Sequence, residues 1–218
     1  MKPTDITGPF DPAAIEKNSF AIIDLEVLEP RPFQGPRWEV ARRLVHTSAD
    51  FELLGLLRFS PGAVRAGVAA LRCGAVVVTD TRMCQAGIPM RRLAPLGAST
   101  LCLMDDPGLA ARARELGVTR ARLAVDEAAK LNGPVIFAIG NAPTALLRLL
   151  ELMDEGRVRP ELVIGMPVGF VNAAESKDLL IARHDVPHIA IQGRKGGSPL
   201  AAACVNALAE LALRAGTP

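Results

Sequence analysis

The chain holds only three histidines, so the side chains able to trade protons near neutral pH are few. One of them keeps cationic company. Arg42 lies four residues before His46 and Arg43 three before it, and on a helix the three would project from neighbouring sides. An imidazole set among guanidinium groups suits a general acid beside a site that captures an anionic ligand. An exposed histidine beside solvated arginines is the plainer reading, and spacing alone does not separate the two.

The other histidines offer less. His184 and His188 flank Asp185-Val186-Pro187, reading as a surface loop; the proline breaks the helix that would bring an HxxxH pair onto one metal ion. No metal site is expected. Cys73, Cys84, Cys102 and Cys204 lie far apart and form no CxxC pair, as in a reduced thiol set. No Gly-x-Ser-x-Gly elbow appears, so covalent nucleophilic catalysis has little support. Asp105-Asp106 resembles a paired carboxylate, but Asp106 is better explained as a cap before Pro107. Asp80 ends a short apolar run and could either do chemistry or hold a loop.

These residues need a scaffold. From residue 60 onward, helical patterns near 62–72, 108–116, 120–131, 143–155, 173–183 and 199–214 alternate with short apolar runs at 75–79, 100–104, 134–139, 162–165 and 188–191. Near-continuous apolar runs indicate strands buried on both faces, and their alternation with helices indicates a parallel sheet. Further upstream, Trp38, Ala41, Leu44 and Val45 predict a helix over 37–48. Residues 19–23 read as a strand or a first helical turn, and residues 1–16 as an irregular arm. Ser60, Asp106 and Ser198 each precede a proline and are predicted to cap helices, and Asn172 with Glu175 has capping-box spacing. The expected architecture is a three-layer α/β sandwich around a mainly parallel sheet of about five strands, forming a single domain.

In such sheets ligands bind beyond the carboxyl ends of the strands. The segments there are Thr79–Gly87, Gly140–Leu146, Gly165–Asn172 and Gly193–Ser198, rich in glycine, amides and Arg or Lys, and several run into helix N-termini. Backbone N–H groups, helix dipoles and cationic side chains favour anions. Yet no GxGxxG follows a strand and no GxxxxGK[ST] occurs, so dinucleotide and P-loop sites are unsupported.

Composition narrows the partners. In 218 residues, half are hydrophobic and 4% aromatic, without a single tyrosine, too few for stacking along single-stranded nucleic acid. A formal charge of +2 without a basic block argues against a phosphate-backbone binder. No apolar run approaches the ~18 residues of a membrane span, and the first residues lack the apolar stretch of a signal peptide. A cytoplasmic protein without nucleic-acid or membrane partners is expected.

Taken together, the loops become specific. Asn18–Ile23 (NSFAII), Arg43–Thr47 (RLVHT), Thr79–Met83 (TDTRM), Gly140–Leu146 (GNAPTAL), Gly165–Val171 (GMPVGFV) and Gly193–Ser198 (GRKGGS) follow one another over nearly the whole chain. In this order they resemble the precorrin-8X methylmutase family of cobalamin biosynthesis. The resemblance implies an α/β sandwich and a homodimer with active sites near the interface. It also implies a cofactor-independent isomerisation, in which the ring-C methyl group of a polycarboxylate tetrapyrrole moves from C11 to C12. The product would be hydrogenobyrinic acid or its cobalt-containing equivalent. His46 matches the family's motif histidine, the proton donor and acceptor. Ser19 and Arg43 match substrate-contacting positions. Thr79, Arg82, Arg120, Lys177, Arg194 and Lys195 are assigned to the substrate's carboxylate arms, and Asn141 joins the substrate-binding set. Two other readings stay open: a carrier that holds a tetrapyrrole without catalysis, and a sheet-based enzyme for a different small molecule such as a sugar phosphate.

Overall fold

The computed structural model describes residues 11–214. The helices are α1 (Pro12–Glu26), α2 (Pro36–Ser48), α3 (Leu53–Leu56), α4 (Ala63–Arg72), α5 (Arg82–Ala86), α6 (Met90–Leu93), α7 (Pro107–Glu115), α8 (Arg120–Ala128), α9 (Pro143–Asp154), α10 (Ala173–Ile181) and α11 (Ser198–Arg214). The strands are β1 (Leu57–Phe59), β2 (Val76–Thr79), β3 (Ser99–Leu101), β4 (Val135–Ile139), β5 (Leu162–Gly165) and β6 (His188–Ile191).

The apolar runs at 75–79, 134–139, 162–165 and 188–191 form the middle of the sheet, where every residue of β4, β5 and β6 is buried. Successive side chains on these strands point to opposite faces. Ile136, Ala138, Leu162, Ile164, Ile189 and Ile191 therefore pack under α2, α4 and α11. Val135, Phe137, Ile139 and Val163 pack under α8, α9 and α10. Burying a side chain of this size contributes roughly 1.5–3 kcal/mol, so both faces must be covered. The result is helix, sheet, helix.

Strand order is β1-β6-β5-β4-β2-β3, with β2 to β6 parallel. The chain first moves outward from β2 to β3, then returns across β2 to β4 and continues the other way. That reversal puts a topological switch point between β2 and β4, the position where doubly wound sheets open a crevice at their carboxyl ends.

The described residues form six strands where about five are expected. The extra one, Leu57–Phe59, runs antiparallel to β6 at the edge. Three residues with Arg58 in the middle are too short for a period-2 pattern to stand out. The irregular lead-in expected through residue 16 gives way at Pro12 to α1, whose first turn is capped by the Asp11 carboxylate accepting from the Ala14 N–H. Residues 1–10 lie outside the described residues. The run at 19–23 is the middle of that helix, neither a strand nor a first turn.

The caps divide similarly. The Asp106 carboxylate accepts from the N–H groups of Gly108 and Leu109, as predicted. Ser60 instead uses its hydroxyl to accept from the His188 N–H, joining the end of β1 to the start of β6. Asn172 sits in the left-handed region, at φ 60°, and makes no side-chain cap. The Ser198 hydroxyl pairs with that of Thr81, 2.7 Å away.

Candidate active site

The helix predicted around His46 is α2, and it runs antiparallel to α11. Glu39 meets Arg214 near one end, and Arg43 meets Glu210 one turn further along. Because α11 starts at the strand-end face with Ser198, the last turn of α2 rises towards that face. Lys195, in the loop after β6, confirms the proximity: its ammonium donates to Asp50 and Glu52, just beyond α2, at 2.6 Å each. These bonds hold the lysine above its ordinary pKa. The acid–base candidate and the strand-end loops thus belong to neighbouring surfaces.

His46 is half-buried, and its ring meets Phe20 of α1 edge-on, with centroids 5.1 Å apart. The guanidinium groups of Arg42 and Arg43 lie over the same Phe20 ring at 4.6 and 5.0 Å. No hydrogen bond occupies either imidazole nitrogen among the described residues, so both remain available to a ligand. Ser19 stands beside Phe20 on α1, with its hydroxyl donating to the Ile15 carbonyl one turn back.

The expected cations divide into two sets. Arg43 is buried, donating to Glu16 at 2.9 and 3.3 Å and to Glu210 at 2.6 Å. Although burial alone would raise the Glu16 carboxyl, the bonds and charge of Arg43, helped by Arg92 and His46, hold it below the usual range. Arg42 is paired with Asp24, which also accepts from the Trp38 indole N–H. Arg82 pairs with Asp105. Arg120 is exposed and reaches only the Met104 carbonyl at 3.5 Å, and Arg194 stacks over exposed Phe170 at 5.4 Å. Neither Arg120 nor Arg194 has a carboxylate partner among the described residues.

Two predicted contacts point inward. Thr79 is 1% exposed, its hydroxyl directed at the Leu101 carbonyl. Lys177 is fully buried, and its ammonium donates to the backbone carbonyl of Lys195 at 2.7 Å. Burial lowers this lysine to about 8. Asn141 is exposed beside the switch point.

That switch point is closed from within. The Asp80 carboxylate, at the end of β2, accepts from the N–H groups of Gly140, Asn141 and Ala142 at 2.9, 2.7 and 2.6 Å. Burial pushes its carboxyl above the ordinary range while the three donors pull the other way. An external anion expected at these amides is replaced by one the chain supplies itself, and Asp80 takes the loop-holding role. Close backbone contact explains two glycines. A Cβ on Gly140 would fall 2.6 Å from Ser198 Cα, and one on Gly196 would clash with the Met166 carbonyl oxygen. The loops after β4, β5 and β6 thus stack backbone on backbone.

His188 opens β6 rather than lying in a surface loop; it is 3% exposed, its Nδ1 lies 3.1 Å from the Val186 carbonyl, and burial lowers its pKa. Among the described residues no group of three or more His, Cys, Asp or Glu side chains is placed to hold a metal ion. Sequence reasoning missed Glu16, Glu210, Phe20 and Phe170. Glu16 and Glu210 lie 27 and 167 residues from the arginine they bind, beyond any local pattern.

The sheet and its loops define the class: a doubly wound α/β protein whose strand-end face joins a helix carrying histidine and arginine. Comparison with known proteins narrows this further. The family model described as precorrin-8X methylmutase matches residues 14–211. The cobalt-precorrin-8 methylmutase of Priestia megaterium is 45% identical over 92% of this chain and 88% of its own. The precorrin-8X methylmutase of Pseudomonas aeruginosa is 43% identical over 91% and 95% respectively. The solved structure of the Thermus thermophilus precorrin-8X methylmutase superposes with a TM-score of 0.85 at 44% identity, covering 94% of this chain and 98% of that one. The chain belongs to the precorrin-8X methylmutase family, and it is an isomerase of the intramolecular-transferase class.

Proposed function

We propose that this chain moves a methyl group within a precorrin-8X-type tetrapyrrole in cobalamin biosynthesis, with His46 lending and recovering a proton. The match to methylmutases over residues 14–211 carries the reading of the reaction. The His46 environment supports the role of the acid: an imidazole whose nitrogens hold no hydrogen bond among the described residues, beside Arg42 and Arg43 on the end of α2 nearer the strand-end loops. The reaction balances without a co-reactant. The bond from the methyl carbon to C11 breaks as the bond to C12 forms, and a proton given to the conjugated macrocycle is returned when the corrin system re-forms. Positioned proton donors of this kind contribute about 10²–10⁴-fold.

The substrate's carboxylate arms need cations. Among the described residues, Arg194 and Arg120 are exposed and hold no carboxylate, Lys177 is buried against a backbone carbonyl, and Arg43, Arg82 and Lys195 would exchange carboxylates already held. Phe170 beside Arg194 offers an apolar surface to the macrocycle.

A homodimer completes the proposal. Ile15 and Ile22 are 47% and 54% exposed on the same side of α1 as Ser19, followed by Leu25 at 80% and Leu28 at 82%. An apolar stripe of this kind beside a substrate position fits a subunit interface next to the site. A single-domain, cytoplasmic enzyme agrees with the pattern, and no helix among the described residues is long and apolar enough to cross a membrane.

The test is to mix the purified protein with precorrin-8X, and separately with its cobalt form, and follow the visible spectrum. Conversion of either is expected. Spectral change from binding without conversion of either would favour the carrier reading and overturn this one.

A further inference from the structure

A second concave surface lies away from the strand ends. Near the start of α2 and the start of α4 there is a cleft of about 660 Å³, within the range of small-molecule sites. Phe33, Pro36, Val64, Val68 and Leu211 give it an apolar lining. Phe33 is itself braced edge-on by Phe59 at 5.0 Å, so that wall is fixed by packing. Arg37 and Arg65 also line it, both exposed, and neither makes an ion pair among the described residues. Both guanidinium groups therefore face the same cleft with their charge uncompensated by a carboxylate among the described residues. Among the described residues no acidic side chain lines it.

The electrostatics carry one sign. Uncompensated guanidinium groups above apolar walls complement a ligand with an apolar body and an anionic head. The cleft is separate from the proposed reaction site. The sense of α2 places Arg37 at the end of that helix remote from His46, and α4 begins from β1, whose last residue pairs with the beginning of β6.

We propose that the cleft between the 32–37 segment and the start of α4 binds an amphipathic anion, with Val68 and Phe33 against its apolar body and Arg37 and Arg65 at its acidic head.

The experiment titrates the full chain with anilinonaphthalene sulfonate, a fluorescent apolar anion, and displaces it with dodecanoate below its micelle concentration. Saturable binding at one site, competed by dodecanoate and weakened by added salt, is expected. The double variant Arg37→Glu/Arg65→Glu should weaken binding of the probe by at least about tenfold. Val68→Trp, which fills the cleft without changing charge, should abolish it. Because the double variant changes only exposed side chains, it remains informative if the tryptophan variant fails to fold. Both variants should convert precorrin-8X at the wild-type rate, which separates this site from the proposed reaction. Absence of saturable binding, or binding untouched by both variants, would overturn the proposal. So would a wild-type oligomer that the double variant dissociates, since the cleft would then be a contact between copies.

Discussion

The ammonium of Lys177 donates to the backbone carbonyl of Lys195, so one lysine positions the loop that carries another. Lys177 is on α10, fully enclosed, and Lys195 is on the loop after β6. Enclosure lowers Lys177 to about 8 from an ordinary 10.5. A lysine whose pKa is lower folded than unfolded opposes folding while it is charged in both states. That penalty is relieved as pH rises from about 8 toward 10.5, where the unfolded chain binds the extra proton. The wild type should therefore gain stability relative to Lys177→Met between pH 7 and 10. Thermal melts of both proteins across that range check it, and parallel curves would refute it.

Asp80 anchors the loop after β4 by three charge-assisted bonds. Asp80→Asn keeps the shape but turns an amide NH₂ toward backbone donors, leaving at least one buried N–H unpaired. The expected loss is about 2–3 kcal/mol. Urea denaturation would measure it, and a shift within error of zero would mean that water or a rearranged loop replaces the carboxylate.

His46→Gln is expected to keep the fold and to lower kcat by about 10²–10⁴-fold with little change in KM. Gln keeps most of the side-chain volume beside Phe20, and the flanking arginines keep their own carboxylate partners, Asp24 for Arg42 and Glu16 and Glu210 for Arg43. Single-turnover conversion of precorrin-8X, followed by absorbance, separates the chemical step from binding. A wild-type rate would remove His46 from the reaction.

Arg194 stacks over Phe170 with no carboxylate partner among the described residues. Arg194→Met should raise KM for the tetrapyrrole by roughly tenfold, the effect of losing one charge-assisted contact of about 1.5 kcal/mol, and leave kcat within about twofold. An unchanged KM would place the substrate's carboxylates elsewhere.

Leu25 is 80% exposed on the outer face of α1. If that stripe is covered by a second copy, Leu25→Glu puts a charge into the interface and should yield a monomer by light scattering. A wild type that is already monomeric at assay concentration would refute the dimer.

Much of the scaffold was readable because its signals are local. The runs 134–139 and 162–165 are short, apolar throughout and bounded by Gly or Pro, the pattern of a strand covered on both faces, and Asp106-Pro107 marks a helix start by chemistry confined to neighbouring residues. Leu57–Phe59 escaped because a three-residue edge strand is defined by its partner, β6, rather than by its own pattern. The site divides along the same line. His46 and its arginines share one helix and could be seen together. Arg43 looked free, since Glu16 and Glu210 reach it only after α1 and α11 have packed. Lys177 and Thr79 carry polar side chains that a motif marks as functional, yet the fold turns both inward. A motif fixes which residues matter at a loop, but not whether a given side chain faces a ligand or braces the loop that does.

The two outermost strands, β1 and β3, have only three residues each. A sheet edge offers unpaired N–H and C=O groups to any passing strand, and the risk grows with length and apolar character. The apolar strands β4, β5 and β6 are all interior, while Arg58 occupies the middle of β1 and Ser99 and Thr100 begin β3. A chain that is half hydrophobic thus exposes little template for intermolecular β-pairing once folded.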